Sequence, residues 1–198
     1  PSSALTGRGI GTSGSKGAIR DLPLLRTASL MQPFLSYAGA TGDGERVRFS
    51  PQAVYYGNGF SAFAEYVHSG QQIRRDDVSA DIDHTAWQVA GTYVLTGEPV
   101  TERAVHPRHD FDFGGGHIGA IQITARYHVL EVDRAAIALG LATPGSSGKA
   151  EAMTFGLNWY LNPFIKYVFN VERTVFDDDP DGPRPAEHGL VFRAQLSF

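Results

Sequence analysis

The sequence predicts an all-β protein, a transmembrane antiparallel up-and-down β-barrel, of which about eight strands lie in this chain. Three observations predict this fold. Apolar and polar residues alternate through several segments of roughly 9 to 11 residues, the length that crosses a bilayer as a tilted strand. The 198 residues include 23 glycines and 11% aromatic residues, as strands and turns favour. No segment approaches the roughly 20 apolar residues of a membrane-spanning helix.

Eight segments alternate with a period of two, so that successive side chains point to opposite faces. In the clearest, Gly119–Leu130, Ile121 and Ile123 share one face while Gln122 and Arg126 share the other. One face is apolar and the other polar, as a barrel between lipid and water requires. In chain order, the strands are expected at Pro33–Ala40, Val47–Tyr56, Phe60–Ser69, Ala86–Thr96, Gly119–Leu130, Ala152–Tyr160, Ile165–Glu172 and Leu190–Phe198.

The last of these strands ends the chain on an aromatic residue, Phe198. Free chain ends normally fray in water, whereas outer-membrane barrels finish on a strand of this kind. Residues 1–32 are rich in glycine and serine and show no convincing period, so we expect a poorly patterned lead-in there and the barrel portion in residues 33–198. Because no leader precedes Pro1, we expect either a processed signal peptide or a fragment.

The connections between the strands alternate in length. Gly57–Gly59 and Leu161–Pro163 have the composition of tight turns. Outer-membrane barrels place short turns on the periplasmic side and long loops on the other, and only Gly97–Gly116 breaks this rule. Long polar loops are expected at Gly42–Arg46, Arg74–His84, Asp133–Lys149 and Asp177–His188, and headgroup-level aromatics at Tyr55, Tyr56, Phe60, Trp159 and Tyr160.

Composition excludes several classes of function. The formal net charge of -4 argues against a nucleic-acid partner, and the absence of cysteine excludes disulfides and thiolate metal sites. The sequence contains no nucleophile elbow or phosphate-cradling loop, so we expect neither an enzyme nor a cofactor. An enzymatic barrel with acidic and histidine residues in its mouth is a weaker alternative. A soluble β-sandwich or small barrel that binds a ligand remains an alternative, because aromatics near strand ends are also common there.

Several stretches resemble the C-terminal half of the phosphate-selective porin O and P family. The run Thr154–Pro163 (TFGLNWYLNP) follows Thr92–Glu98 (TYVLTGE) and Phe111–Gly116 (FDFGGG) in the same order, and the resemblance covers about Arg46 to the end. The strand Ala120–His128 and the ending Phe192–Phe198 (FRAQLSF) also match. The chain is therefore similar to strands nine to sixteen of such a barrel, whose first half we expect upstream unless the protein is truncated.

The resemblance implies a bacterial outer-membrane porin of sixteen strands. It also implies a homotrimer that passes phosphate, polyphosphate or other small anions by passive diffusion, with outer-membrane lipids around it. The family's constriction, an inward-folded loop, would be expected in the missing half. Because the chain is negative overall, a non-selective general diffusion porin is nearly as well supported.

Five basic residues carry the candidate site, because strand parity points them into the lumen together with Glu65 and Glu172. Rings of basic side chains lower the barrier for anions by replacing part of the hydration shell. Arg46 and Arg48 are best placed, since their spacing of two puts both guanidinium groups on one face. For each residue the alternative is a solvated charge or an ion pair between strands. The predicted anion contacts are Arg46, Arg48, Arg126, Lys166 and Arg193.

Two other clusters are weaker candidates for metal binding. Asp177–Gly182 fits the opening of a calcium loop, but the twelfth position is His188 where a bidentate glutamate is needed. A solvated acidic loop is therefore the better interpretation. His106, His109, Asp110 and His117 offer suitable donors, yet their spacing matches no established zinc pattern. We accordingly predict no metal site.

Overall fold

A computed structural model describes residues 7–18, 20–37, 39–102, 104–177, 182 and 184–197. None of the helical segments within these ranges is long and apolar enough to cross a membrane. In chain order the elements are β1 (Gly7–Ala18), β2 (Leu25–Arg26), β3 (Pro33–Leu35), β4 (Thr41–Tyr56), β5 (Phe60–Arg75), β6 (Val78–Val94), β7 (Ala120–Glu131), α1 (Arg134–Ala138), β8 (Lys149–Tyr160), β9 (Ile165–Phe176) and β10 (Glu187–Leu196).

Eight of the strands form one antiparallel sheet in the order β1-β4-β5-β6-β7-β8-β9-β10. Each strand pairs with the next one in this order, which confirms the predicted all-β, up-and-down architecture. The sheet has two open edges, since β1 and β10 do not pair with each other within the described ranges. A closed, narrow eight-stranded barrel is therefore not what this chain forms. The predicted terminal residue of the last strand, Phe198, lies outside the described residues.

The two faces of the sheet differ in polarity, as the alternation predicts. On one face, here called the outer face, large apolar side chains are exposed, among them Phe155 at 53% and Phe192 at 59%. The opposite, inner face carries polar side chains such as Gln122, Thr154 and Glu172, which are buried. Exposed apolar surface on this scale is unfavourable in water and favourable against acyl chains. The outer face therefore suits contact with lipid.

One strand of the sheet is not the one that the sequence predicts. The predicted first strand, Pro33–Ala40, is wrong: among its described residues only Pro33–Leu35 forms a strand, and it pairs with β2 in a separate two-stranded sheet. Its place beside β4 is taken by β1, within residues 1–32. β1 consists largely of glycine and serine and therefore shows no apolar alternation. Pro33–Leu35 is apolar because Phe34 and Leu35 are core residues. The proposed division of the chain at residue 32 stays a prediction.

Three strands, β4, β5 and β6, extend furthest past their predicted bounds, while β8, β9 and β10 each extend by three or four residues at the long-loop end. Gly42–Arg46 belongs to β4, where the pairing register with β5 shifts, and most of Arg74–His84 belongs to β5 and β6. Those two strands meet in a tight turn at Asp76, which has a φ of 52°. β6 contains 17 residues, more than the roughly 9 to 11 that cross a bilayer. Beyond the apolar band the alternation is reversed: Ile73, Ala80 and Ile82 pack in the core on the inner face, while Asp81 and Asp83 are exposed on the outer face. A search for an apolar outer face therefore does not reveal these extensions.

The aromatic residues beside the tight turns divide between the two faces. Tyr55 and Phe60 lie on the outer face, with ring centroids 6.3 Å apart, and Trp159 lies there against Phe111 at 5.4 Å. Tyr160 is instead buried at 7% exposure on the inner face. Tyr56 likewise packs inward, because consecutive residues of a strand point to opposite faces. The girdle therefore contains Tyr55, Phe60 and Trp159, and the prediction was wrong for Tyr56 and Tyr160.

Two apolar clusters cover the inner face at its two ends. At the long-loop end, Leu35, Ile73, Ile82 and Leu141 are fully buried together with residues of α1. At the tight-turn end, the long connection Gly97–Gly116 supplies Val100 and Val105, which pack against Val94, Ala120 and Tyr160. This packing explains why a long connection occurs among short turns: it closes over the inner face at that end.

The assignment of faces predicts the effect of one matched pair of substitutions. We expect Ile123→Arg, on the exposed outer face near the middle of the apolar band, to lower the free energy of unfolding in a bilayer by about 2–4 kcal/mol. The matched control is Thr124→Arg, one residue later and on the inner face, which should cost much less. Urea unfolding of the protein in lipid vesicles measures both. Equal costs would contradict the assignment.

Candidate functional site

The inner face carries a line of polar residues because neighbouring strands are in register. Arg126 on β7 lies opposite Thr154 on β8, and Thr154 lies opposite Glu172 on β9. Side chains in such cross-strand positions are close enough to interact. The three side chains therefore form a transverse row, which we call the Arg126 row.

Glu172 is the centre of the Arg126 row. Its side chain is only 3% exposed, and a buried carboxylate requires partners. Nη2 of Arg126 lies 3.3 Å from its Oε2, and the Thr154 hydroxyl donates to the same oxygen at 2.6 Å. The backbone amide of Ser29 donates to Oε1 at 3.1 Å. Every partner is a donor, so the carboxylate is held in its charged form.

A second inward carboxylate, Glu65 on β5, has only neutral partners. The Ser50 hydroxyl donates to Oε1 at 2.9 Å, and the Gln88 amide donates to Oε2 at 2.7 Å. Both carboxylates that the sequence places in the lumen are thus engaged by hydrogen bonds. Their negative charge is therefore stabilised by donors of the sheet and of the Ser29 backbone, and it does not face the open space without partners.

A neutral network lies closer to the tight turns. Oε1 of Gln122 accepts from Asn158 at 2.8 Å and from the Tyr160 hydroxyl at 3.0 Å. Nε2 of Gln122 donates to Thr92 at 3.2 Å, and Thr92 bonds Ser61 at 2.7 Å. These side chains give this part of the inner face a polar and uncharged surface.

A short hairpin crosses the inner face and is the main feature that the sequence does not reveal. This inner hairpin, Leu25–Leu35, consists of β2, a turn and β3. The amide of Thr27 donates to the carbonyl of Gln32 at 2.9 Å, and the amide of Gln32 donates back to the Thr27 hydroxyl at 3.0 Å. These two bonds close the turn and make it a compact unit.

The tip of the inner hairpin reaches far across the sheet. Ser29 bonds Glu172 on β9, and a Cβ placed on Gly189 of β10 would lie 3.4 Å from the Cβ of Ser29. Ala28 lines a cavity of about 190 Å³ with Glu65 of β5 and Arg126 of β7. The hairpin therefore narrows whatever space the inner face encloses.

The base of the inner hairpin is anchored in the core at the long-loop end. The carbonyl of Phe34 accepts from the amide of Ser147 at 2.9 Å, and the carbonyl of Pro33 accepts from Arg184 at 3.1 Å. Just beyond, the Tyr37 hydroxyl and Nε2 of His84 are hydrogen-bonded at 2.5 Å. Burial raises the pKa of Tyr37, so this phenol stays neutral. A base fixed in this way holds the hairpin in place.

The five predicted basic residues all lie on the inner face, but they do not form one cluster. Arg46 donates from Nε to Gln71 at 2.7 Å and from Nη2 to the carbonyl of Asp21 at 2.6 Å. Arg48 is exposed, two residues further along the same face. These two lie on β4 near the long-loop end, as the sequence predicts.

The other three predicted residues lie nearer to β10. Arg126 is partly neutralised by Glu172 in the Arg126 row. The ammonium of Lys166 lies 5.2 Å from the centroid of the Tyr160 ring, and Arg193 is exposed on β10. Lys166 and Arg193 therefore lie near the tight-turn end and Arg46 and Arg48 near the long-loop end, with Arg126 between them.

The inner hairpin is an inward-folded segment that the sequence does not predict, and it lies between β1 and β4. The position of the family's constriction in the missing half stays a prediction. The residues of the inner hairpin have no regular period because its packing depends on distant strands. An indication in the sequence was the short apolar run at Pro33–Leu35 among glycine-rich and polar residues, which resembles a strand but lacks its length.

The weaker metal candidates receive no support from the side-chain positions. The rings of His109 and His117 stack with centroids 4.5 Å apart. Within the described residues, however, no three histidine, aspartate or glutamate side chains are grouped closely enough to hold a metal ion. For the acidic segment, Asp178, Asp179 and Asp181 lie outside the described residues.

Comparison with known proteins identifies one related family. The family model described as phosphate-selective porin O and P matches residues 35–198. The match begins at the last residue of the inner hairpin and includes β4 to β10. A search of curated proteins finds no significant match.

The contact between Glu172 and Ser29 predicts how the tip of the inner hairpin depends on the wall. We expect Glu172→Ala to remove the protection of the Ser29 amide against hydrogen exchange, at a cost of about 1–3 kcal/mol in local stability. The Gln32 amide is the internal control, since its acceptor, the Thr27 hydroxyl, belongs to the hairpin itself. Amide exchange in detergent micelles measures both. An unchanged Ser29 amide would contradict the contact.

Proposed function

The chain belongs to the phosphate-selective porin O and P family, and we propose that its inner face forms part of the wall of a pore through which small anions diffuse passively. Membership of this family indicates a channel rather than an enzyme, and it implies the bacterial outer membrane. Phosphate and polyphosphate are the anions that the resemblance favours.

The observation that carries this proposal is the difference between the acidic and basic residues of the inner face. Glu65 and Glu172 are each bonded by two or more donors. Arg48 and Arg193 are exposed, and no carboxylate among the described residues lies within ion-pair distance of either. The charges that face the open space are therefore mainly positive.

Arg46 is positioned to receive an anion. A guanidinium carries five N–H donors, and two of them are used by Gln71 and by the carbonyl of Asp21. These two bonds fix the direction of the group while the other donors stay available. With Arg48 on the same face, Arg46 can replace part of the water that an anion loses on entering a narrow passage.

The inner hairpin supports the same function, because it reduces the free cross-section next to the basic residues. An anion that passes the hairpin tip must travel close to the wall, where Arg126 lines the same cavity as Ala28 of the hairpin. The electrostatic attraction of a fixed charge increases as the distance falls. A narrowed passage therefore makes few charges more effective.

A general diffusion porin is the second candidate, and one observation favours it. Arg126, the most central of the five basic residues, has its charge compensated by Glu172. If the remaining four are too far from the path, the pore would sort solutes by size alone. The soluble ligand-binding alternative is less consistent with the broad exposed apolar outer face.

A complete pore needs strands beside both β1 and β10. Unpaired backbone groups in hydrocarbon cost several kcal/mol each, and the open edges of the sheet present many of them. The sixteen-stranded barrel implied by the resemblance would supply eight further strands. The homotrimer stays a prediction.

Charge reversal at Arg46 and Arg48 tests anion preference. Each Arg→Glu change alters the charge by two units, so both together change the energy of an ion about 10 Å away by roughly 1.7 kcal/mol in water. Salt screening reduces this value, and we expect the anion-to-cation permeability ratio to fall by up to about tenfold. Reversal potentials of the complete pore in a planar bilayer measure the ratio.

The control for this experiment is the charge-conserving pair Arg46→Lys and Arg48→Lys, which should leave the reversal potential close to the original value. If the double glutamate variant has an unchanged reversal potential, the role proposed for these two residues is wrong. The general diffusion porin would then be the better description of the pore.

Shortening the inner hairpin tests whether it limits conduction. Replacing residues 27–32 by Asn-Gly, a two-residue turn, should increase the single-channel conductance because the tip no longer crosses the face. Glu172→Gln, which alters the contact at the tip but keeps the hairpin, should change conductance less. Single-channel recording at high salt measures both, and an unaltered conductance in the shortened variant would show that the hairpin lies outside the path.

A further inference from the structure

We propose that the outer face carries a binding groove for a phosphate-bearing lipid of the outer leaflet, at the long-loop end of β7 to β10. The groove has a volume of about 480 Å³ and lies on the side of the sheet opposite to the inner face. Besides the carboxylates of Glu151 and Glu172, its lining includes apolar and basic side chains: Tyr127, Met153, Phe155, Val171, Arg173 and His188.

The basic part of the groove is a cross-strand pair. Arg173 of β9 and His188 of β10 lie directly opposite each other in the register, and both are exposed. Among the described residues, no carboxylate lies within ion-pair distance of either side chain. An arginine at the membrane boundary without a protein partner has unused donors that match the oxygens of a phosphate in a bidentate arrangement.

Two carboxylates line the groove, and among the described residues neither forms an ion pair with Arg173 or His188. Glu172 is bonded by Arg126, Thr154 and Ser29. Glu151 also lines the groove, but its Oε2 accepts from the Tyr127 hydroxyl at 2.6 Å. Its Oε1 forms an ion pair with Lys149. Lys149 is shared between Glu151 and Glu131, whose Oε1 lies 3.7 Å from its ammonium. Both oxygens of Glu151 are therefore engaged by other groups, and the guanidinium of Arg173 is left for a ligand.

The apolar part of the groove begins next to Arg173 and His188. Two residues closer to the tight turns, Phe155 and Val171 lie opposite each other, and Leu190 lies opposite Val171. Their side chains are exposed by 53%, 51% and 79%. Positive charge at one level and apolar surface beneath it fit an amphiphile with an anionic head and acyl chains.

The level of the groove matches that of lipid headgroups. Tyr127 lies in the same transverse row as Met153 and Arg173, and its ring contacts Trp87 edge-on with centroids 5.4 Å apart. Tryptophan and tyrosine concentrate where headgroups meet acyl chains. Since the tight turns of such barrels are periplasmic, this end of the sheet faces the outer leaflet.

The experiment uses the porin purified from its own outer membrane in a mild detergent. Phosphorus analysis and native mass spectrometry count the lipid phosphate retained per protein. A basic residue near a membrane surface contributes about 1 kcal/mol to anionic lipid binding, so Arg173→Gln should reduce the retained lipid phosphate about fivefold. Arg173→Lys should give an intermediate value, because it keeps the charge but loses the bidentate geometry.

The matched control is Arg134→Gln, an exposed arginine on α1 outside the groove, which should retain as much lipid phosphate as the unmodified porin. Single-channel conductance should be the same in all variants, because Arg173 points away from the inner face. Conductance thus reports correct folding and separates failure of this inference from failure of the proposed pore.

Two further ligands identify what the groove recognises. After delipidation, a phosphate-bearing lipid should bind again, while a lipid with the same acyl chains and an uncharged head should bind equally to the porin and to Arg173→Gln. Inorganic phosphate at the same concentration should not displace the bound lipid. Retention of lipid phosphate by Arg173→Gln at the original level, or complete displacement by inorganic phosphate, would overturn the proposal.

Discussion

The structure depends on one constraint, which is that the backbone must satisfy its own hydrogen bonds wherever water is absent. In hydrocarbon each unpaired amide or carbonyl is costly, so the eight strands pair along almost their whole length and leave only the two edges β1 and β10 unpaired. Pairing also fixes the direction of every side chain. Since successive side chains alternate, one sheet can present Phe155 to lipid and Thr154 to an enclosed polar space. The separation of the two solvents is a direct result of backbone geometry.

On the inner face, part of the positive charge is cancelled by a carboxylate. Glu172 neutralises Arg126 and also holds the amide of Ser29, so a single carboxylate connects the wall to the inner hairpin. Because Arg126 is neutralised, the sign of the electrostatic potential at the inner face depends on the less engaged arginines, Arg48 and Arg193. One residue therefore links the charge of the wall to the position of the inner hairpin, so a change of charge at Glu172 would also affect that position.

Much of the sheet could be predicted from the sequence, because β7, β8 and β9 have a strict period of two with large apolar residues on one side. β1 could not, since a strand of glycine and serine has no contrast between its faces. The inward direction of Arg46, Arg126 and Arg193 follows from parity alone. Their partners do not, because the contact between Arg126 and Glu172 requires the register of two further strands. The inner hairpin depends on packing against Ile73 and Ile82, which are far away in sequence.

The composition of β1 has a consequence for assembly. It pairs with β4 on one side and offers its other side as an edge in which five of twelve residues are glycine. Few side chains there can interlock with a neighbour, so alternative alignments differ little in energy. The strand that pairs with the free edge of β1 must then determine the correct alignment. Assembly of the protein in the cell would consequently be sensitive to the order and timing of strand insertion. A chaperone that covers the free edge of β1 until its partner strand is present would prevent pairing in a shifted register.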